Sequence, residues 1–103
     1  MSFLQNLLRT SEKAELKDII EQGAFLVDVR TAAEFESGHV KGSVNIPLDK
    51  IHTQISQFRG RKNIVIFCLS GARSSQAISI LEKNGIKGVM NGGGWRKVNQ
   101  FVK

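Results

Sequence analysis

Cys68 is the only cysteine in the chain, and it opens the stretch Cys68-Leu69-Ser70-Gly71-Ala72-Arg73-Ser74. A tight loop opened by Gly71 can curl so that successive backbone N–H groups point inward, forming an anion nest. The helix that follows adds its positive end. A thiol facing such a ring has its ionised form stabilised: an ordinary cysteine titrates at ~8.5, whereas thiols at helix N-termini fall to ~3.5–7.5. Arg73 adds a permanent charge, or binds an anionic substrate through its fork of donors. The competing reading is a packing role, because free cysteine is among the most buried residue types and Cys68 directly follows Ile66 and Phe67. A core position, however, has no need of a glycine and an arginine closing a turn onto a helix. The residue types at this spacing therefore predict a nucleophile inside an anion cradle.

The flanking segments predict how that loop is held. Asn63 to Phe67 is the clearest strand, with β-branched residues in succession and no alternation, the pattern of a strand covered on both faces. Ser74 to Asn84 reads as a helix with Ala77, Ile78 and Leu81 inward and Gly85 at its C-terminal cap. Upstream, Thr10 or Ser11 caps a first helix through about Gln22, ended by Gly23. Residues 1–10 form an N-terminal extension or the start of that helix. Phe25 to Val29 reads as a buried strand, Ala32 to Ser37 as a short helix stopped by Gly38, and Val44 to Ile46 as a short strand. Pro47 suits the first turn of a helix burying Leu48, Ile51, Ile55 and Phe58. Lys87 to Met90 is a last short strand. The Gly92-Gly93-Gly94 turn then leads to a helix carrying Trp95, Val98 and Phe101 or Val102. Strands alternating with helices predict an α/β fold with a mainly parallel central sheet flanked by helices on both faces. Ligands of such sheets sit beyond the carboxyl ends of the strands, where Cys68 lies.

The 103 residues suffice for one domain, and 41% apolar with 23% charged residues is ordinary for a globular chain. One cysteine excludes an intramolecular disulfide and a cysteine-based metal cluster. The longest apolar run, Ile64 through Leu69, falls far short of the ~20 residues of a membrane span. The first residues lack a basic start and are interrupted by Gln5 and Asn6, so they make a poor secretory signal, and a cytoplasmic location is expected. The net charge of +6 is uneven. Up to Ile51 there are six Lys/Arg against eight Asp/Glu, a net of −2; from His52 onward there are nine against one, a net of +8. That half either steers anions toward its site or presents a solvated basic face. No aromatic ladder, RNP-type motif or zinc knuckle supports nucleic acid as the partner.

Cys68 to Arg73 resembles the C-x-x-G-x-R active loop of rhodanese-like sulfurtransferases. Asp28-Val29-Arg30 is similar to that family's D-V-R at the end of its early strand. Glu34, Gly38-His39-Val40-Lys41-Gly42-Ser43 and Asn45-Ile46-Pro47 resemble its E-x-x-x-G-H-I-x-G-A-x-N-I-P stretch, with Val40 for Ile and Ser43 for Ala. Gly93-Gly94-Trp95 resembles the late glycine–tryptophan segment. The likeness runs in order from about Ser11 to Phe101 and is greatest to single-domain bacterial members of the phage-shock protein E type.

The resemblance implies a sulfur relay. The Cys68 thiolate takes the sulfane sulfur of a small anionic donor such as thiosulfate and becomes a persulfide. It then passes the outer sulfur to cyanide, a small thiol or a protein thiol. The N–H groups of Leu69, Ser70, Gly71, Ala72 and Arg73 stabilise the sulfur anions, and no metal or organic cofactor is required. Leu69 shapes access or donor choice. Ser70 and Ser74 donate hydrogen bonds to the bound sulfur, or Ser74 caps the helix. Trp95 lines the mouth of the site or packs in the core. Asp28, Arg30 and Glu34 form a polar tie at the strand end, His39 is a hydrogen-bonded turn residue, and His52 carries no signal. Two rivals remain open: a cysteine-dependent phosphatase or arsenate reductase, and a persulfide carrier loaded and unloaded by protein partners. The phosphatase signature has five residues between cysteine and arginine, whereas this chain has four, Leu69 through Ala72, a ring better sized for sulfur.

Overall fold

A computed structural model describes residues 13–102. Four strands, β1 (Phe25–Asp28), β2 (Val44–Asn45), β3 (Ile64–Cys68) and β4 (Val89–Gly94), form one parallel sheet in the order β2-β1-β3-β4. Helix α1 spans 13–21, α2 is Ala32–Glu36, α3 is Ala72–Lys83 and α4 is Trp95–Asn99. The expected start of the first helix at Thr10 or Ser11, and the extension over 1–10, lie outside the described residues.

All five residues of β3 are buried, which accounts for their unbroken apolar character. Successive side chains alternate between two cores. Ile64, Ile66 and Cys68 join Val27, Val29, Ala77 and Leu81 on the α3 side, whereas Val65 and Phe67 join Leu16, Val40 and Val98 on the α1 and α4 side. The expected parallel sheet with helices on both faces is thus the observed architecture. The register pairs Asp28 with Phe67 and Cys68 with Gly94, so the ends of β1, β3 and β4 meet at one edge of the sheet.

Several elements depart from the sequence reading. The helix expected after Pro47 is two 3₁₀ segments, Leu48–Thr53 and Ile55–Phe58. Leu48 and Ile51, like Ile55 and Phe58, are three residues apart, the spacing that eclipses on a 3₁₀ turn, so one apolar stripe is buried without an α-helix. Helix α3 begins at Ala72 rather than Ser74, because Gly71, at φ +104°, is the residue able to turn the chain out of β3. The three glycines after Asn91 belong to β4 and are not a turn. Gly92 is an extra residue in a β-bulge opposite Ile66 and Phe67. A Cβ there would lie 2.7 Å from Val98 Cγ2 and 2.9 Å from Val65 Cγ1, and one at Gly94 would lie 2.7 Å from the Leu69 carbonyl oxygen. Close approach, rather than chain reversal, demands those glycines.

Candidate active site

The site begins at the end of β1. Asp28 is fully buried and Arg30 is 3% exposed. One carboxylate oxygen of Asp28 accepts from the Arg30 backbone N–H at 2.9 Å and from Nε at 3.0 Å. The other accepts from Nη2 at 2.7 Å. The guanidinium also donates to the carbonyls of Gly38 (2.8 Å) and Glu34 (3.3 Å) and lies 4.7 Å from the Trp95 ring centroid. Asn45 Nδ2 donates to the Asp28 and Arg30 carbonyls, adding β2 to the same knot. Trp95 packs against the α1/α4-side core.

The Glu34 carboxylate does not join that knot, contrary to the expected tie of Asp28, Arg30 and Glu34. It closes a capping box with Thr31 at the start of α2 and pairs with both terminal nitrogens of Arg73, at 2.6 and 3.0 Å. The Arg73 hydrogen bonds, helped by the Thr31 N–H, lower the Glu34 pKa from 4.5 to about 2. Arg73 is raised in turn, chiefly by Glu34. In the structure the Arg73 fork holds Glu34 and anchors the active loop to α2. His39 Nδ1 donates to the Phe35 carbonyl (2.8 Å), and the imidazole stacks on the Phe35 ring.

A pH dependence follows from the Glu34–Arg73 pair. A carboxyl held below its ordinary value contributes stability above pH ~4.3, and that contribution is lost as pH falls toward about 2. The pair is about one-third exposed, so the loss is shallow. Urea midpoints measured between pH 5.5 and 2.5 should fall more steeply for the native chain than for Glu34→Gln; parallel curves would show that the pair adds nothing.

Cys68 ends β3 with 1% exposure, its Sγ 3.0 Å from the Gly71 N–H and 3.6 Å from Ser74 Oγ. Burial is the largest single influence and pushes the thiol up. The Ser74 N–H and hydroxyl, with the N–H groups of Ser70 and Gly71, together outweigh it, and the pKa is lowered. Ser74 is fully buried and faces the sulfur; Gly71 takes the cap position that Ser74 was expected to fill. Leu69, 53% exposed, Ser70 and Ala72 lie on the outside of the loop. The structure thus brings Cys68 and the backbone of Ser70, Gly71 and Ser74 together around the sulfur, with the Arg73 fork bound to Glu34. An open cleft of about 670 Å³ runs beside the loop, lined by Ser70, Gly71, Asn91 and Gly93 together with Lys13 and Lys97.

Sequence reading missed Asn91. Its Oδ1 accepts from Ser74 Oγ (2.7 Å) and the Gly93 N–H (2.8 Å), and its Nδ2 donates to the Gly71 carbonyl (3.2 Å) and Ser75 Oγ (3.0 Å). The available signal was the asparagine itself, whose side chain bonds backbone two residues on.

Residues 12–100 match the family profile of the rhodanese-like domain. The chain belongs to the rhodanese-like family. It is 33% identical over 102 residues to the uncharacterized protein YqhL of Bacillus subtilis, covering 98% of this chain and 80% of that one. It is 34% identical over 74 residues to the thiosulfate sulfurtransferase PspE of Escherichia coli, covering 70% and 71%. Among solved structures, the reduced Bacillus anthracis CoADR-RHD superposes with a TM-score of 0.72 at 37% identity, over 87% of this chain and 16% of that longer one. In this rhodanese-like chain β3 ends on a cysteine with a lowered pKa, and no helix of the described residues is long and apolar enough to cross a membrane.

Proposed function

We propose that this chain is a thiosulfate-type sulfurtransferase of the phage-shock protein E kind, with Cys68 as its nucleophile. The carrying observation is the Cys68 sulfur, buried yet ringed by the Gly71 N–H and the Ser74 hydroxyl, with its pKa lowered against the effect of burial. In the first step the Cys68 thiolate attacks the sulfane sulfur of thiosulfate. A Cys68 S–S bond forms, the S–S bond of thiosulfate breaks, and its electron pair leaves on sulfite. In the second step cyanide or a thiolate attacks the outer sulfur of the persulfide, and the Cys68 thiolate is the leaving group. No oxidant, metal or organic cofactor enters either step. The amides of Ser70, Gly71 and Ser74 hold the negative charge in both the thiolate and the persulfide. Leu69 and Ala72, at the outer surface of the loop, face the incoming partner. A reactive free thiol of this kind is best kept reduced, which favours the cytoplasm.

The captive Arg73 bears on the phosphatase rival. A phosphate ester needs that guanidinium for its oxygens, and here both terminal nitrogens are given to Glu34. A protein persulfide carrier uses the same thiol and differs in its acceptor; the exposed Leu69 beside the nucleophile favours it as the second reading. The test is turnover. The purified chain should form thiocyanate from thiosulfate and cyanide and leave p-nitrophenyl phosphate untouched. Hydrolysis of the ester without thiocyanate would overturn the reading.

A further inference from the structure

We propose that Asn91 is a positioning residue for the nucleophile: its carboxamide holds the Gly71 carbonyl and the Ser74 hydroxyl so that the loop stays closed on the Cys68 sulfur. The proposal deepens the sulfur-transfer reading and rests on Cys68 being the reacting atom. Asn91 pairs in regular register with Ile66 and, like Val89 two residues earlier, lies on the α3 side of the sheet, where the active loop enters that helix. The bulge at Gly92 follows it and makes Gly93 the partner of Phe67. The Gly93 N–H at 2.8 Å fixes the amide orientation, since only the oxygen can accept it. The Asn91 carboxamide then uses its full capacity: two bonds accepted at Oδ1 and two donated by Nδ2.

The hydrogen-bond inventory shows what that arrangement permits. Ser74 has one hydroxyl proton and three acceptors nearby: Asn91 Oδ1 at 2.7 Å, the Gly71 carbonyl at 2.9 Å and the Cys68 sulfur at 3.6 Å. With a protonated thiol, the S–H donates to Ser74 Oγ and the hydroxyl donates to Asn91. When the thiol ionises, the hydroxyl turns to the sulfur. Neither abandoned acceptor is orphaned, because Asn91 Oδ1 keeps the Gly93 N–H and the Gly71 carbonyl keeps the Ser75 N–H at 3.0 Å and Asn91 Nδ2 at 3.2 Å. Asn91 also ties the carbonyl of the very residue whose N–H lies 3.0 Å from the sulfur. Without it, two of the groups that bond the sulfur, the Gly71 residue and the Ser74 hydroxyl, lose their shared tie.

The test is the pH dependence of iodoacetamide alkylation of Cys68. Asn91→Ala should raise the alkylation midpoint by about one pH unit. Asn91→Asp, the same size, should raise it at least as far, because the carboxylate repels the Gly71 carbonyl and adds charge near the sulfur. In a Ser74→Ala background, the shift caused by Asn91→Ala should shrink by half or more. A lowered melting temperature with an unmoved midpoint would make Asn91 a strut only and overturn the proposal, as would an equal shift with and without Ser74. If Asn91→Ala fails to fold, the Asp variant carries the same reading. Persulfide formation on the native chain is scored separately with thiosulfate. Its presence alongside unmoved variant midpoints would sink this proposal alone, and its absence would sink the sulfur-transfer reading.

Discussion

Replacing Cys68 with serine should reduce thiocyanate formation from thiosulfate and cyanide to background, a loss on the order of 10³-fold or more. The substitution is nearly isosteric at a site with 1% exposure, so the fold should survive it, as circular dichroism would show. What disappears is the chemistry. A serine hydroxyl stays protonated where the thiol ionises, and oxygen cannot form the persulfide S–S bond on which the relay depends. Removing a donor to the sulfur anion is a weaker intervention, since the Ser74 and Gly71 groups share that work. Residual turnover in the serine variant at more than a few per cent would place the nucleophile elsewhere.

The largest stability effect is expected from Asp28→Ala. Asp28 and Arg30 are an ion pair shielded from solvent, and deleting the acid leaves a guanidinium without its counter-charge and the Arg30 N–H without its acceptor. Breaking a buried pair on one side costs about 3–5 kcal/mol, a large share of the ~5–15 kcal/mol that holds a domain folded. Urea denaturation at neutral pH should show that loss. The consequence reaches the active loop: Arg30 also fixes the carbonyls of Glu34 and Gly38, α2 carries Glu34, and Glu34 holds Arg73. A cost below ~1 kcal/mol would mean that water or a neighbouring group replaces Asp28.

Much of this was legible in the residues. The unbroken apolar run of β3 identified a strand buried on both faces, and the cysteine–glycine–arginine spacing after it identified the cradle. The parallel order followed from alternating strands and helices. What could not be read were choices made by tertiary contact. Arg73 was read as a permanent charge or an anion-binding fork, and only the fold brings α2 close enough for Glu34 to take its terminal nitrogens. Ser74 fits both a cap and a sulfur donor, and the left-handed turn at Gly71 decides for the sulfur by starting α3 early. The glycines after Asn91 have the composition of a turn, yet Val65, Val98 and the Leu69 carbonyl crowd them into a strand. Apolar spacing at three residues did not distinguish a 3₁₀ segment from an α-helix after Pro47. Asn91 was missed because, apart from the Gly93 N–H two residues on, its partners come from the active loop and the start of α3, 16 to 20 residues away.

The most direct measurement of the sulfur relay is the intact mass of the native chain after incubation with thiosulfate. A gain of one sulfur atom is expected, located at Cys68, absent from Cys68→Ser and removed by cyanide with release of thiocyanate. An unchanged mass with thiosulfate, while iodoacetamide still labels the same thiol, would contradict a persulfide intermediate on Cys68.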